Sequence, residues 1–208
     1  MTLPDQDSTL GISDVLALGG VFLVGALPFA HILARSAAGA DLRTVRTGTV
    51  SASNVYVVAG PAPFALTFLL DLGKGAAMAA LVRRRRPDLL AVAGGLVVAG
   101  HNWSPFLRGA GGRGVLTATG VLLVAAPEGA ALVLGSAAAS GLLGDTAPGC
   151  FVAQVLLVPV LAASQGRTGA LLGLALALPM LVKRLVGNRG AASGRVYLTR
   201  LVYDRDVR

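Results

Sequence analysis

Gly100-His-Asn-Trp-Ser-Pro-Phe-Leu-Arg-Gly-Ala-Gly-Gly-Arg-Gly114 is wedged between two apolar stretches of the chain. A run of glycines leaves backbone N–H groups open to a ligand, and Arg108 and Arg113 add positive charge beside them. Such a loop can surround a phosphate. Because it ends one greasy segment and begins another, the implied anion site lies at a membrane surface.

Composition agrees with a membrane setting. The chain has 208 residues, of which 13% are charged, and a mean hydropathy of +0.72. Soluble domains carry roughly 25% charged residues. Leu, Val, Ala and Gly dominate and aromatics are 5%, and small residues suit close helix packing in lipid. The expected fold is all-α: a polytopic integral membrane helical bundle forming a single domain over 1–208. Strict apolar/polar alternation is missing, which argues against a β-barrel. The net charge of +8 would suggest nucleic acid in a soluble protein, but here the arginines cluster in short loops and near the C-terminus. Positive-inside placement and anionic headgroups account for them, so no nucleic-acid partner is expected. The single cysteine, Cys150, excludes an intrachain disulfide and a multi-cysteine metal site.

Apolar segments fall at 15–34, 55–82, 88–107, 114–126, 129–144, 149–164 and 168–186. A full span needs about 20 residues, so some of these are half-spans, tilted or re-entrant. The expectation is about seven helices, with five or six also compatible. Residues 1–14 form a short polar N-terminus with Asp5, Asp7 and Asp14 and no Lys or Arg. A signal peptide needs a basic start, so none is expected. The first positive charge is Arg35, which puts the N-terminus outside and the next loop in the cytoplasm. With an odd number of crossings the 35–54 loop, the 108–114 loop and the basic 187–208 tail all lie inside, the tail resting on the inner leaflet. Arg83–Arg86 then fall outside, against the positive-inside tendency.

Four sets of residues can carry chemistry. The stretch Asp41 to Asn54 is dense in hydroxyls, with Gly48 as a flexible point. Hydroxyl, amide and backbone donors at a helix start make an anion site, and an ordinary capped loop would look the same. Asp71 and Lys74, three apart inside an apolar helix, share one face. They are either a functional pair or a structural ion pair. His101, at the start of the glycine loop, is a candidate general base, or it merely hydrogen-bonds a neighbouring backbone. With His31 far away in sequence, no metal site is expected. Lys183 and Arg184, followed by Gly187 and Asn188, end the last apolar segment, where cations also suit the helix dipole.

Taken in order, these blocks resemble the bacterial acyl-phosphate:glycerol-3-phosphate acyltransferases. That family's first motif, Ser-Gly-Asn-x-Gly-Ala-Thr-Asn, is similar to Thr47-Gly48-Thr49-Val-Ser51-Ala52-Ser53-Asn54. Its Asp-x-x-Lys-Gly is intact as Asp71, Lys74 and Gly75. Its Gly-His-x-x-Pro-x-Phe…Gly-Gly-Lys-Gly-Val is similar to Gly100, His101, Asn102, Pro105, Phe106, Gly111, Gly112, Arg113, Gly114 and Val115. There are departures: Thr49 replaces an Asn, Val57 stands where an Arg is usual, and Arg113 replaces a Lys. The third motif survives only around Lys183, Arg184, Leu185 and Gly187. Its His and Asn fall on Leu178 and Leu181, and its final Glu is missing. Losing charge-assisted hydrogen bonds, each worth roughly 1.5–3 kcal/mol, weakens a dianion site.

The resemblance implies an enzyme that moves a fatty acyl group from acyl phosphate to glycerol 3-phosphate, giving lysophosphatidic acid for phospholipid synthesis; acyl transfer to another small polar acceptor is the alternative. It implies a multi-pass protein of the bacterial inner membrane, working on membrane lipid from the cytoplasmic side, without a cofactor or metal. Thr47, Ser51, Ser53, Asn54 and His101 are the implied catalytic residues. Gly48, Lys74, Gly111, Gly112, Arg113, Gly114, Lys183 and Arg184 are the implied phosphate-binding ones. A catalytically inactive lipid- or partner-binding relative, and a transporter with Asp71 and Lys74 along a pore, are the rival readings.

Overall fold

The computed structural model describes residues 10–188 and 194–204. Parts of the polar N-terminus and basic tail, including Arg189, Arg205 and Arg208, lie outside the described residues. Within them the regular structure is helical: α1 (Ile12–Ala26), α2 (Phe29–Ala38), α3 (Ala52–Ala59), α4 (Pro61–Arg85), α5 (Leu90–Asn102), α6 (Val115–Ala125), α7 (Pro127–Leu142), α8 (Thr146–Val186) and α9 (Gly194–Tyr203). Short 3₁₀ turns, Pro87–Leu89 and Pro105–Leu107, sit before α5 and after it.

Local chemistry explains the breaks. Pro28 lacks an N–H and turns the chain between α1 and α2, so the first apolar segment is a cornered pair of helices rather than one rod. Pro61 occupies the first turn of α4, where a missing N–H costs nothing, and Gly60 separates it from α3. The expected 55–82 segment is therefore two helices. α8 runs 41 residues but is broken at Gly166, whose φ of 61° and ψ of −141° are non-helical. Its two halves are the expected sixth and seventh segments.

Side-chain ties sort the junctions into two ends. At the far end Arg86 pairs with Asp14 before α1 is two turns old and with Asp88 at 2.8 Å. Arg83 donates to the carbonyl of Val124, and Gln165 donates to that of Ala125 at 3.2 Å. At the near end Ser104 donates to Ala26 at 2.6 Å, Arg113 to the carbonyl of Lys183 at 2.7 Å, and Arg184 to Ala147 at 3.1 Å. α1, α4, α5, α6, α7 and the two halves of α8 thus run seven times between the ends. The Arg83–Arg86 cluster has a local cause: cations at a helix C-terminus, with Asp14 and Asp88 as counter-ions.

Ile12–Ala38, Pro61–Arg85 and Thr146–Val186 are long and apolar enough to cross a membrane. The core is aliphatic, built on Val97, Val98, Val121, Leu122, Leu157, Leu161 and Leu176, while Leu16, Leu69, Leu174 and other large apolar residues stay exposed on the outside. Burial alone does not drive such helices together in lipid, so close packing of small residues must. Gly75 of α4 shows it: a Cβ there would collide with the carbonyl of Thr117 in α6. The tail does not simply lie on a surface. α9 folds back with Val196 and Arg200 buried, and Arg200 donates to the carbonyl of Val186 at 3.0 Å.

Candidate active site

Three loops meet at the near end. The amide of Val50 donates to the carbonyl of Gly111 at 3.0 Å, joining the hydroxyl-rich loop to the glycine loop. Asn188, just past α8, joins both. Its Nδ2 donates to the carbonyls of Gly48 at 2.9 Å and Gly111 at 2.7 Å, and its Oδ1 accepts from the amide of Gly111 at 3.2 Å.

Beneath them lies a buried polar cluster. Lys74 Nζ is 2.7 Å from Asp71 Oδ1, 2.9 Å from His101 Nδ1 and 3.2 Å from the carbonyl of Leu27. An ammonium only donates, so His101 Nδ1 accepts and its ring proton sits on Nε2. That nitrogen faces Gly112, where a Cβ would clash with it.

The glycine loop is more internally engaged than its sequence suggests. The Gly111 amide goes to Asn188 and the Gly112 amide to the carbonyl of His101 at 3.2 Å. The accessible donors shift to the start of α6, whose first-turn amides have no intrahelical acceptor. Gly114 makes this start, with φ of 74°, and a Cβ on it would lie 2.6 Å from Val98 Cγ1.

A hollow of about 290 Å³ opens at this point. Its polar wall comprises Ser51, Ser53, His101, Arg113, Gly114 and Arg184, with Asp71 and Asp204. Its apolar wall runs between α4, α6, α7 and α8 along Phe64, Phe68, Leu116, Val133, Leu134 and Cys150. Arg113 is buried, donates to Lys183's carbonyl and pairs with Asp204. Arg184 donates to the carbonyls of Leu201 at 2.9 Å and Ala147. The Nε groups of both arginines are buried without a partner among the described residues.

The other expected site residues sit behind this wall. Asn54 donates to the carbonyl of Thr49 at 2.7 Å, and the hydroxyls of Thr47 and Thr49 are 2.9 Å apart. Gly48 gives its carbonyl to Asn188. Lys183 donates to Gly109's carbonyl at 3.2 Å and lies 5.3 Å above the Trp103 ring. Val57 and Leu178, which stand where the resemblance leads one to expect an Arg and a His, are exposed. Asn188 and Asp204 were not among the expected site residues. Asn188 was visible in sequence only as a residue after the helix-ending Gly187, and Asp204 carried no signal. Among the described residues no group of three or more His, Cys, Asp or Glu is placed to hold a metal ion.

Fold and hollow together define a polytopic membrane protein with a charged pocket, two arginines facing two aspartates, that continues into an apolar cleft at one end of its bundle. The chain belongs to the glycerol-3-phosphate acyltransferase family, whose sequence model matches residues 15–189. It is 37% identical over 204 residues to glycerol-3-phosphate acyltransferase 4 of Dehalococcoides mccartyi, covering 90% of this chain and 87% of that one. It is 43% identical over 145 residues to glycerol-3-phosphate acyltransferase 5 of the same species, a match that spans 69% of this chain and 62% of that protein's length. The enzyme of Roseobacter denitrificans is 36% identical over 178 residues, covering 83% of this chain and 88% of its own. The crystal structure of PlsY (YgiH), an integral membrane glycerol 3-phosphate acyltransferase, in its glycerol 3-phosphate form shares the fold. Its TM-score is 0.79 at 23% identity, over 94% of this chain and 95% of that one.

Proposed function

We propose that this chain transfers a fatty acyl group from an acyl phosphate to the hydroxyl of glycerol 3-phosphate, forming lysophosphatidic acid. The observation that carries the reading is the hollow itself: Arg113, Arg184 and a helix start at one end, where a phosphate would take the place of Asp204 on Arg113, and an apolar cleft at the other. An acyl chain fits the cleft while its phosphate meets Arg113, Arg184 and the first turn of α6. Phosphate near the bilayer surface and tail within it is the arrangement that an amphiphilic donor requires.

The reaction needs little covalent help from the protein. The acceptor oxygen attacks the acyl carbonyl carbon, the bond from that carbon to the phosphate oxygen breaks, and inorganic phosphate leaves with the hydroxyl proton. An acyl phosphate is already activated, so positioning and charge stabilisation supply most of the catalysis. Ser51 and Ser53, whose hydroxyls are 3.0 Å apart, orient the acceptor at the rim. His101 carries its proton on Nε2 and serves as a donor to developing negative charge; the departing phosphate serves as the base. Lys74 holds His101 in that tautomer. The basic near-end loops support a cytoplasmic site in a bacterial inner membrane.

The exposure of Val57 and Leu178 favours one second reading, the same transfer to a different small acceptor, because neither residue replaces a phosphate-clamping cation. Purified protein given labelled acyl phosphate and glycerol 3-phosphate separates these. Lysophosphatidic acid is the expected product, and Arg113→Ala is expected to lower kcat/KM about 10–150-fold, the loss of roughly 1.5–3 kcal/mol of charge-assisted bonding. Donor hydrolysis or an ester of another alcohol would move the assignment to the second reading. Absence of turnover by folded protein, or full activity of Arg113→Ala, would overturn the mechanism.

A further inference from the structure

The hydroxyl-rich loop and the glycine loop come from sequence positions about sixty residues apart, and a single backbone bond, Val50 to Gly111, joins them directly. Leu42, Val50 and Val55 also pack with Leu107 in one apolar cluster, and one polar side chain bonds to both loops. Asn188 uses its amide nitrogen on the carbonyls of Gly48 and Gly111 and its amide oxygen on the N–H of Gly111. A carboxamide has both donors and an acceptor on one rigid plane, so it can satisfy a peptide group on one loop while holding a carbonyl on another. An aspartate of the same shape could accept from Gly111 but would face two carbonyl oxygens with no hydrogen to offer.

The location gives this clasp a functional edge. Gly111 is fixed by Asn188 and by Val50 just before the chain passes Gly112, packed on His101, and reaches Arg113 and Gly114 at the start of α6. On the other loop, Gly48 is fixed three residues before Ser51. Residues on both sides of the hollow's polar wall are therefore registered by one group that does not itself line the hollow. Asn188 belongs to neither loop and ends α8, the helix that also carries Arg184. We infer that Asn188 is a positioning residue for the site: it locks the two loops into a single surface, so that Ser51, which orients the glycerol 3-phosphate acceptor, stays in register with Arg113 and Arg184, which hold the donor phosphate. This rests on the reading of the hollow as the site that takes both substrates of the proposed transfer.

The test pairs a binding measurement with a substrate-independent one. Wild type, Asn188→Ala, Asn188→Asp and Asn188→Gln are purified in detergent. Glycerol 3-phosphate affinity is measured by calorimetry, KM and kcat by acyl transfer, and backbone hydrogen exchange over 47–54 and 109–114. The expected result for Asn188→Ala is faster exchange in both loops and a Kd and KM at least tenfold higher, with a smaller change in kcat. Asn188→Asp should behave like the alanine variant, and Asn188→Gln should recover part of the affinity. Folded Asn188→Ala with Kd and KM within twofold of wild type would overturn the inference. So would loosening of one loop alone, or an aspartate variant that binds as wild type does. If wild type fails to bind glycerol 3-phosphate, the site assignment falls, and exchange still decides whether Asn188 couples the loops.

Discussion

Removing the ammonium of Lys74 is expected to damage the protein more than removing any surface charge. Asp71 and Lys74 have side chains 2% and 3% exposed, and Nζ serves Asp71, His101 and the Leu27 carbonyl together. Lys74→Met keeps the length and volume but leaves the Asp71 carboxylate in the bundle with only His101, 3.6 Å away, beside it. Breaking a buried pair by deleting one partner costs about 3–5 kcal/mol. At about 2–4 °C per kcal/mol for a chain of this size, the thermal midpoint should fall by about 6–20 °C. Asp71→Asn should cost less, since Lys74 keeps His101 and Leu27. In the Asp71→Asn/Lys74→Met double variant no charge is stranded, so at least half of the Lys74→Met loss should be recovered, a coupling of the order of 1.5–3 kcal/mol. The assay is heat-dependent loss of monodisperse protein in detergent, read for the four proteins side by side. A Lys74→Met midpoint within about 2 °C of wild type, or a double variant as unstable as the summed singles, would refute the reasoning.

Gly75→Ala should force α4 away from α6, because the added methyl meets the Thr117 carbonyl; a loss of about 1–3 kcal/mol is expected, and a midpoint equal to wild type would show that the helices have slack. The near-end loop should also show a signature in acid. The Arg43 side chain, hydrogen-bonded to Asp41 at 2.7 Å, holds that carboxyl well below the usual carboxylate range. A depressed folded-state pKa stabilises the loop fully above the unfolded value of about 3.9 and progressively less as pH falls below it. Proteolytic resistance of the 39–47 loop should therefore hold down to about pH 4 and then decline, and Asp41→Asn should remove that decline.

Much of the frame was legible because lipid imposes a simple rule: apolar segments of near-spanning length, separated by charged or glycine-rich turns. The three basic loops do meet at one end, and Asp71 and Lys74 do pair on one face of α4; that His101 joins them was not legible. What was not legible follows from the same rule. Core-facing Leu122 and cleft-facing Leu116 are chemically alike, and so are lipid-facing ones such as Leu69, so no periodicity marks the walls of the hollow. Pro28 and Pro61 cut two apolar segments that hydropathy alone runs together. The amides of Gly111 and Gly112 looked free because a glycine run shows accessibility but not who has already taken it. Asn188 and Asp204 act through loop closure and helix return, which no local pattern announces.

All three loops and the polar wall of the hollow sit at one end of the bundle, while at the other Arg86 pairs with Asp14 and Asp88 beside a separate hollow lined by Asp14, Met78, Val82 and Arg86. On the proposed function, the lysophosphatidic acid formed in this hollow leaves sideways into the monolayer at that end. Material added by the proposed reaction then enters one leaflet, and its transfer to the other is a separate step.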